Sequence, residues 1–257
     1  MFKIRFNGND KLREIYNRVK KDQEIQAYWA ASNITAIDRM HISDHGRVHI
    51  AIVVNRALKI LRLLKKNDVV FNIEKDHGMK YEDAEVLVFT AAVLHDIGQA
   101  IHRSNHAVLG AAIAPMLVDR LLKDIYCPAE KARMLSDICH AIISHREGID
   151  PLTVEAGIIR VADAIDMERG RAEISFSKIG STSIHAVSAM AIKDVKIKPG
   201  KLKPVRILIT MANSSGIFQV DSLLKNKLKN SCIENYIEVR AFIEGEVEEK
   251  IISVIEI

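Results

Sequence analysis

One stretch constrains the fold of this chain more than any other: VLVFTAAVL, from Val86 to Leu94, running directly into His95-Asp96. The helix predicted over Glu82 to Asp96 begins with acidic residues, which suit the positive end of a helix dipole, and stops near Gly98. The run is interrupted by Thr90 and is far too short to span a bilayer. It therefore reads as a helix inside a soluble core, with an aspartate at its inner end. Burying that charge without a partner is costly. A divalent cation removes the cost, because imidazole and carboxylate both ligate Mn, Fe, Zn or Mg. For a lone His-Asp dipeptide, the ordinary alternative is a helix C-terminus with the aspartate in solvent.

The dipeptide has company. VADAID at 161–166 places Asp163 and Asp166 three residues apart on one face of an otherwise apolar helix. Asp163, between Val161, Ala162, Ala164 and Ile165, has the stronger argument for burial; Asp166 reads equally well as a solvent-facing acid. His49 opens HIAIVVNRALKILRLL, which leaves little room for a wet face. It reads as a buried neutral histidine or as another ligand of the same ion. Of the ten histidines, most fall between His41 and His106, a clustering that composition does not require.

Around these residues the pattern is mainly helical. Leu12, Ile15, Tyr16 and Val19 have helical spacing, and helices are expected over 49–64, 105–123, 128–145 and 150–167, with Pro128 and Pro151 near two N-termini. Asn72 to Lys80 reads as a loop. Beyond Arg171 the texture becomes strand-like at 187–197, 205–211, 217–220, 236–243 and 251–257, with a lysine-rich helix near 222–229. The expected organisation is an N-terminal helical extension (1–40), a helical domain (41–172) and a small α+β domain (187–257).

The 257 residues are 48 % hydrophobic with a net charge of +4, an ordinary globular balance that mildly favours anionic small substrates. Basic residues are not interleaved with aromatics, so no dedicated nucleic-acid module is expected. Cys127, Cys139 and Cys232 lack CxxC spacing and read as buried thiols in a reducing compartment. With no apolar run of signal-peptide length at the N-terminus, a cytoplasmic protein without membrane association is the expectation.

Taken in order, His49, LHDIG at 94–98 and Asp163 within RVADAID resemble the H…HD…D signature of the HD superfamily of metal-dependent phosphohydrolases. HIAIVVNRAL resembles its first-ligand helix and AAVLHDIG its second motif. His45 is the reserve first ligand, since Val53 follows His49 by the family's four residues whereas Val48 follows His45 by three. HAVLGAA at 106–112 and AIISHREG at 141–148 resemble histidine segments of the two-metal branches. The carry-over makes His106 and His145 ligands of a second ion bridged by Asp96, with His102 as a substitute for His106. His140 reads as structural. The GYP part of the HD-GYP signature is missing, REGID standing after His145, so a cyclic-dinucleotide specialist is not expected.

The resemblance implies an HD-type helical bundle holding one or two divalent ions and hydrolysing a phosphate ester or anhydride, of a nucleotide-like substrate, with metal-activated water. Asp96 and Asp166 are the expected catalytic acids, and Arg103 and Arg146 the expected phosphate contacts, although each arginine reads as well as solvated surface. Two alternatives stay open: a phosphodiesterase of cyclic nucleotides or RNA ends, and a catalytically silent metal- or nucleotide-binding regulator. The C-terminal region is expected to serve homo-oligomer assembly if it serves any contact.

Overall fold

The computed structural model describes residues 2–170, 184–244 and 254–256. Its organising element is the helix built on the apolar run, Tyr81–Leu94, in which every residue from Asp83 onward is buried. A helix that is apolar all round is stable only inside other elements. In chain order the helical part comprises α1 (Asp10–Lys21), α2 (Gln23–Asn33, continuing as a π-helical turn at Ile34–Arg39), α3 (Arg47–Lys65), α4 (Asn72–His77), α5 (Tyr81–Leu94), α6 (His106–Leu122), α7 (Pro128–Ser144) and α8 (Val154–Ala164). The helices α1, α3, α7 and α8 all pack on α5. The predicted spacing in α1 is realised: Leu12, Ile15 and Val19 are its buried residues, and the Asn9 side chain caps it by accepting from the Leu12 amide.

This packing brings the C-terminal ends of α5 and α7 beside the N-terminal end of α6. A 3-10 turn, Ile97–Ala100, carries the chain from α5 toward α6. Gly98 makes this crossing possible: a Cβ there would lie 2.0 Å from the His106 carbonyl oxygen, so only glycine lets the turn sit against α6.

The C-terminal part contains α9 (Ile184–Met190), β1 (Ile192–Pro199), β2 (Val205–Met211), α10 (Lys225–Leu228), β3 (Ile237–Ile243) and β4 (Val254–Glu256). The sheet order is β1-β2-β3-β4. β1 and β2 are antiparallel (Ile197 opposite Ile207), β2 and β3 parallel (Ile207 opposite Val239), and β3 and β4 antiparallel (Ala241 opposite Ile255). Val205, Ile207, Ile209 and Met211 are buried in strict alternation, the period of a sheet with one covered face. The mainly helical fold followed by a small α+β part is as expected from sequence.

Several local expectations are corrected. Residues 217–220 form no strand: a 3-10 turn at Ser214–Gly216 and a π-helical segment at Gln219–Leu224 lead into α10. Parallel β2 and β3 need a crossover, and a helical one buries Val220 and Leu224 on one side. The first half of the 187–197 stretch belongs to α9 rather than a strand. Asn72–Lys80 is not all loop, because the Glu155 carboxylate accepts from the Asn72 and Ile73 amides and caps α4 from outside. Cys127 and Cys232 are exposed and Cys139 is half-buried, so these thiols are not core residues. Of the strand expected at 251–257, Val254–Glu256 is described as β4 and the rest lies outside the described residues. Among the described residues no helix is long and apolar enough to cross a membrane.

Candidate metal centre

Three of the four buried imidazoles at the helix junction are fixed by the same local device. His95 and His145 stand at the C-terminal caps of α5 and α7, where the last carbonyls of a helix lack intrahelical partners. Each turns its Nδ1 back to the carbonyl three residues earlier: His95 to Ala92 at 2.8 Å and His145 to Ile142 at 2.5 Å. His106, the first residue of α6, does the same with Arg103 at 2.9 Å. His49, on the first turns of α3, uses a side chain instead, with its Nδ1 2.6 Å from Asp166 Oδ2. A carbonyl or carboxylate oxygen only accepts, so each Nδ1 carries a proton and each ring turns Nε2 inward, where the neutral form offers a lone pair.

All four Nε2 atoms converge on one carboxylate. Asp96 Oδ2 lies 3.2 Å from His49 Nε2 and 3.4 Å from His95 Nε2. Asp96 Oδ1 lies 3.3 Å from His106 Nε2 and 3.7 Å from His145 Nε2. Within each pair the nitrogens are 3.1 Å apart, lone pair toward lone pair in the neutral tautomers. Asp163 Oδ1 lies beside the first pair, at 3.5 Å from His49 Nε2 and 3.9 Å from His95 Nε2. Asp163 is the most open of these side chains, at 13 % exposure.

This donor set fits divalent cations. The ligand atoms of His49, His95 and Asp96 lie within 4.8 Å of one another, as do those of Asp96, His106 and His145. Buried nitrogen lone pairs facing each other across a carboxylate repel unless a cation or proton lies between them, and the locked tautomers turn their own protons away.

The electrostatics have the same asymmetry. Burial alone would raise Asp96, but His95 and His49 hold it well below the ordinary carboxylate range. Burial likewise opposes the charged form of Asp163, and Lys227, His95 and His49 outweigh it, leaving this carboxyl also well below its usual value. His145 is pushed well below the ordinary imidazole range by burial and by His95. His106 is lowered mainly by burial. His95 goes the other way: burial would lower it, and the adjacent Asp96 more than compensates.

The remaining expected site residues are placed as follows. Asp166, an expected acid, lies behind His49, with its Oδ2 2.6 Å from Nδ1 and its Oδ1 3.4 Å from Arg56 Nη1, on the side of the ring away from Asp96. His102 is exposed, its Nδ1 accepts from the Ser104 amide, and it lies outside both ligand groups. The His45 ring lies 5.5 Å from that of His49, with Nδ1 on the Ser43 carbonyl and Nε2 accepting from Arg103 Nη1 at 3.2 Å. Arg146 lies 3.4 Å from Asn105 Oδ1, beside His106. His140 Nε2 accepts from the Leu152 amide, a structural bond.

Sequence reasoning missed two residues. Arg56 follows His49 by seven residues on an apolar helix, which puts both on one face, and that spacing was an available signal. Lys227, whose Nζ lies 2.6 Å from Asp163 Oδ2, gave no local signal, because it comes from α10 at the far end of the chain.

Comparison with known proteins agrees with the site. The HD domain family model matches residues 48–168. An uncharacterized protein of Methanocaldococcus jannaschii is 40 % identical over 232 residues, covering 90 % of this chain and 89 % of that protein. Ribonuclease Y of Desulforamulus reducens is 27 % identical over 164 residues, or 62 % of this chain and 29 % of that protein. Ribonuclease Y of Roseiflexus sp. is 42 % identical over 79 residues, or 30 % of this chain and 12 % of that protein.

Proposed function

This chain belongs to the HD superfamily of metal-dependent phosphohydrolases, and we propose that it hydrolyses a phosphate ester or anhydride of a nucleotide-like substrate at a two-ion centre. The observation that carries this reading is Asp96 itself, each of whose oxygens faces its own pair of imidazoles. His49, His95 and Asp163 would hold one ion, His106 and His145 the other, and Asp96 both. When bound, the ions supply Lewis acidity, acidifying water near neutral pH and offsetting charge on phosphoryl oxygens.

The chain's own groups divide the remaining work. Asp166 and the three i−3 carbonyls keep the imidazole lone pairs aimed inward. Arg103 and Arg146, whose contacts lie on His45 and on Asn105 beside His106, would hold phosphate oxygens, and a guanidinium can do so with two parallel hydrogen bonds.

A second reading, hydrolysis of a phosphodiester in RNA, is favoured by the relatives named ribonuclease Y, which match about a third of this chain or more. One panel separates the two. The full chain supplied with Mn or Mg is offered an aryl phosphate, nucleoside mono- and triphosphates, cyclic nucleotides and short RNA. Metal-dependent turnover that Asp96→Ala abolishes supports the phosphohydrolase. Preference for RNA over mononucleotides selects the second reading, and turnover unaffected by Asp96→Ala contradicts both.

A further inference from the structure

Among the described residues, the C-terminal part reaches the metal centre through Lys227 on Asp163. The two oxygens of Asp163 are divided: Oδ1 faces His49 and His95, while Oδ2 is held at 2.6 Å by the Lys227 ammonium. A free carboxylate can present either oxygen, or both, to an ion. One whose outer oxygen is occupied by a cation presents a single oxygen in a fixed orientation.

The position of Lys227 is built rather than incidental. Its neighbours Leu224 and Leu228 are buried, which fixes the face of α10 against α8. The Ser231 carbonyl approaches α8 so closely that a Cβ on Gly157 would lie 1.8 Å from it. Buried Arg160, one turn before Asp163 on α8, reaches the Asn226 carbonyl at 3.5 Å. Asn230 Nδ2 donates to Asp150 Oδ2 at 3.2 Å. These contacts hold the segment from both sides of Lys227, whose side chain is only 22 % exposed.

We propose that Lys227 is a positioning residue for metal retention: it occupies Asp163 Oδ2, reserves Oδ1 for the ion shared with His49 and His95, and so makes the C-terminal region part of the metal centre. The inference rests on the metal-centre reading above. It gives the region a role in the site that its strand-and-lysine texture did not suggest.

The test is metal affinity of the full chain, read by competition against a chromophoric chelator, with Mn and Zn as probes. Lys227→Met keeps the aliphatic stem and removes the charge, and is compared with Lys227→Ala and Lys227→Arg. Loss of a group that orients a ligand weakens affinity by about 10–100-fold. That loss is expected in both Lys227→Met and Lys227→Ala, with substantial recovery in Lys227→Arg. At saturating metal, KM should stay at the wild-type value. Circular dichroism and thermal melting identify any variant that fails to fold, and the other then decides. Wild-type metal affinity with a raised KM would assign Lys227 to substrate and overturn the proposal; wild-type affinity with unchanged kinetics would reduce the contact to a surface ion pair and overturn it too. Asp96→Ala, run in parallel, separates the two levels: if it loses metal while the Lys227 variants keep it, only the role of Lys227 falls, and if it keeps metal, the centre itself falls with it.

Discussion

Both ends of α5 bury carboxylates, and the two ends satisfy them in opposite ways. At the N-terminal end Asp83 accepts from Lys11 Nζ and the Tyr126 hydroxyl, both at 2.7 Å, and from the Lys80 amide at 2.9 Å. Glu85 accepts from Arg62 Nε at 2.7 Å and Asn9 Nδ2 at 2.8 Å. Every partner there brings a proton. At the C-terminal end the groups facing the Asp96 carboxylate are imidazole nitrogens whose protons are committed to Asp166 and to three backbone carbonyls. Buried acids are tolerable in both places, but for different reasons: one end is complete as a protein network, the other is complete only with cations. The partner's protonation, more than the acid's burial, separates a structural carboxylate from a ligand.

Exchanging charge for a neutral amide should break this comparison most sharply. Asp96→Asn is expected to lower kcat/KM by about 10³-fold or more, because several kcal/mol of transition-state charge stabilisation depend on the ions it helps hold. Its metal-free form should melt no lower than the wild type. Asp83→Asn should do the reverse in the same two assays, leaving activity intact and costing about 1–3 kcal/mol of stability as its donors lose an acceptor. If both variants behaved alike, the two ends would not differ as described.

The next largest effect belongs to the residue behind His49. Asp166→Ala removes the acceptor that fixes the His49 tautomer and takes a carboxylate from Arg56, so metal affinity should fall about 10–100-fold by chelator competition. A leaving-group acid at this position would instead depress kcat with affinity unchanged, and that result would assign it the expected role.

How much of this contrast the sequence disclosed depends on whether a residue's partner is local. The apolar run was legible because a helix without a polar face has nowhere to go but inside, and Asp96 at its end then demands a partner. His49, Asp163, His106 and His145 were legible through motif order. The tautomer locks were not, since they use backbone carbonyls of Ala92, Arg103 and Ile142 that any residue would supply. Asp166 carried the right chemistry but no sign of which way it points, and the fold turns it toward the back of His49. Residues 217–220 have strand composition, yet the parallel pairing of β2 with β3 required a crossover there. Lys227 meets Asp163 only through docking of α10 on α8, a long-range contact that no periodicity records.

The smallest effects are those of pH, and they run in opposite directions at the two ends. Burial, together with the Asp83 carboxylate, raises the Tyr126 phenol far above its ordinary value. A group with a raised folded pKa contributes stability that is full below its unfolded value, about 10, and is lost as pH rises above it. Tyr126→Phe should therefore flatten the alkaline fall in thermal stability, and an unchanged profile would contradict the network. At the metal end the competition is acidic. His95 is raised by Asp96 against its burial, whereas His145 and His106 are lowered chiefly by burial. As pH falls toward the ordinary imidazole value of about 6.5, protons should compete with a metal ion at His95 before they do at His106 or His145. Simultaneous loss, in a metal titration repeated across pH, would contradict this order.

The central claim is that Asp96 is shared by two ions, and metal stoichiometry tests it most directly. Calorimetric titration of the stripped full-length chain with Mn, checked by elemental analysis, is predicted to give two ions per chain for the wild type, one for His145→Ala and none held tightly by Asp96→Ala. A single ion in the wild type, retained unchanged by His145→Ala, would contradict it.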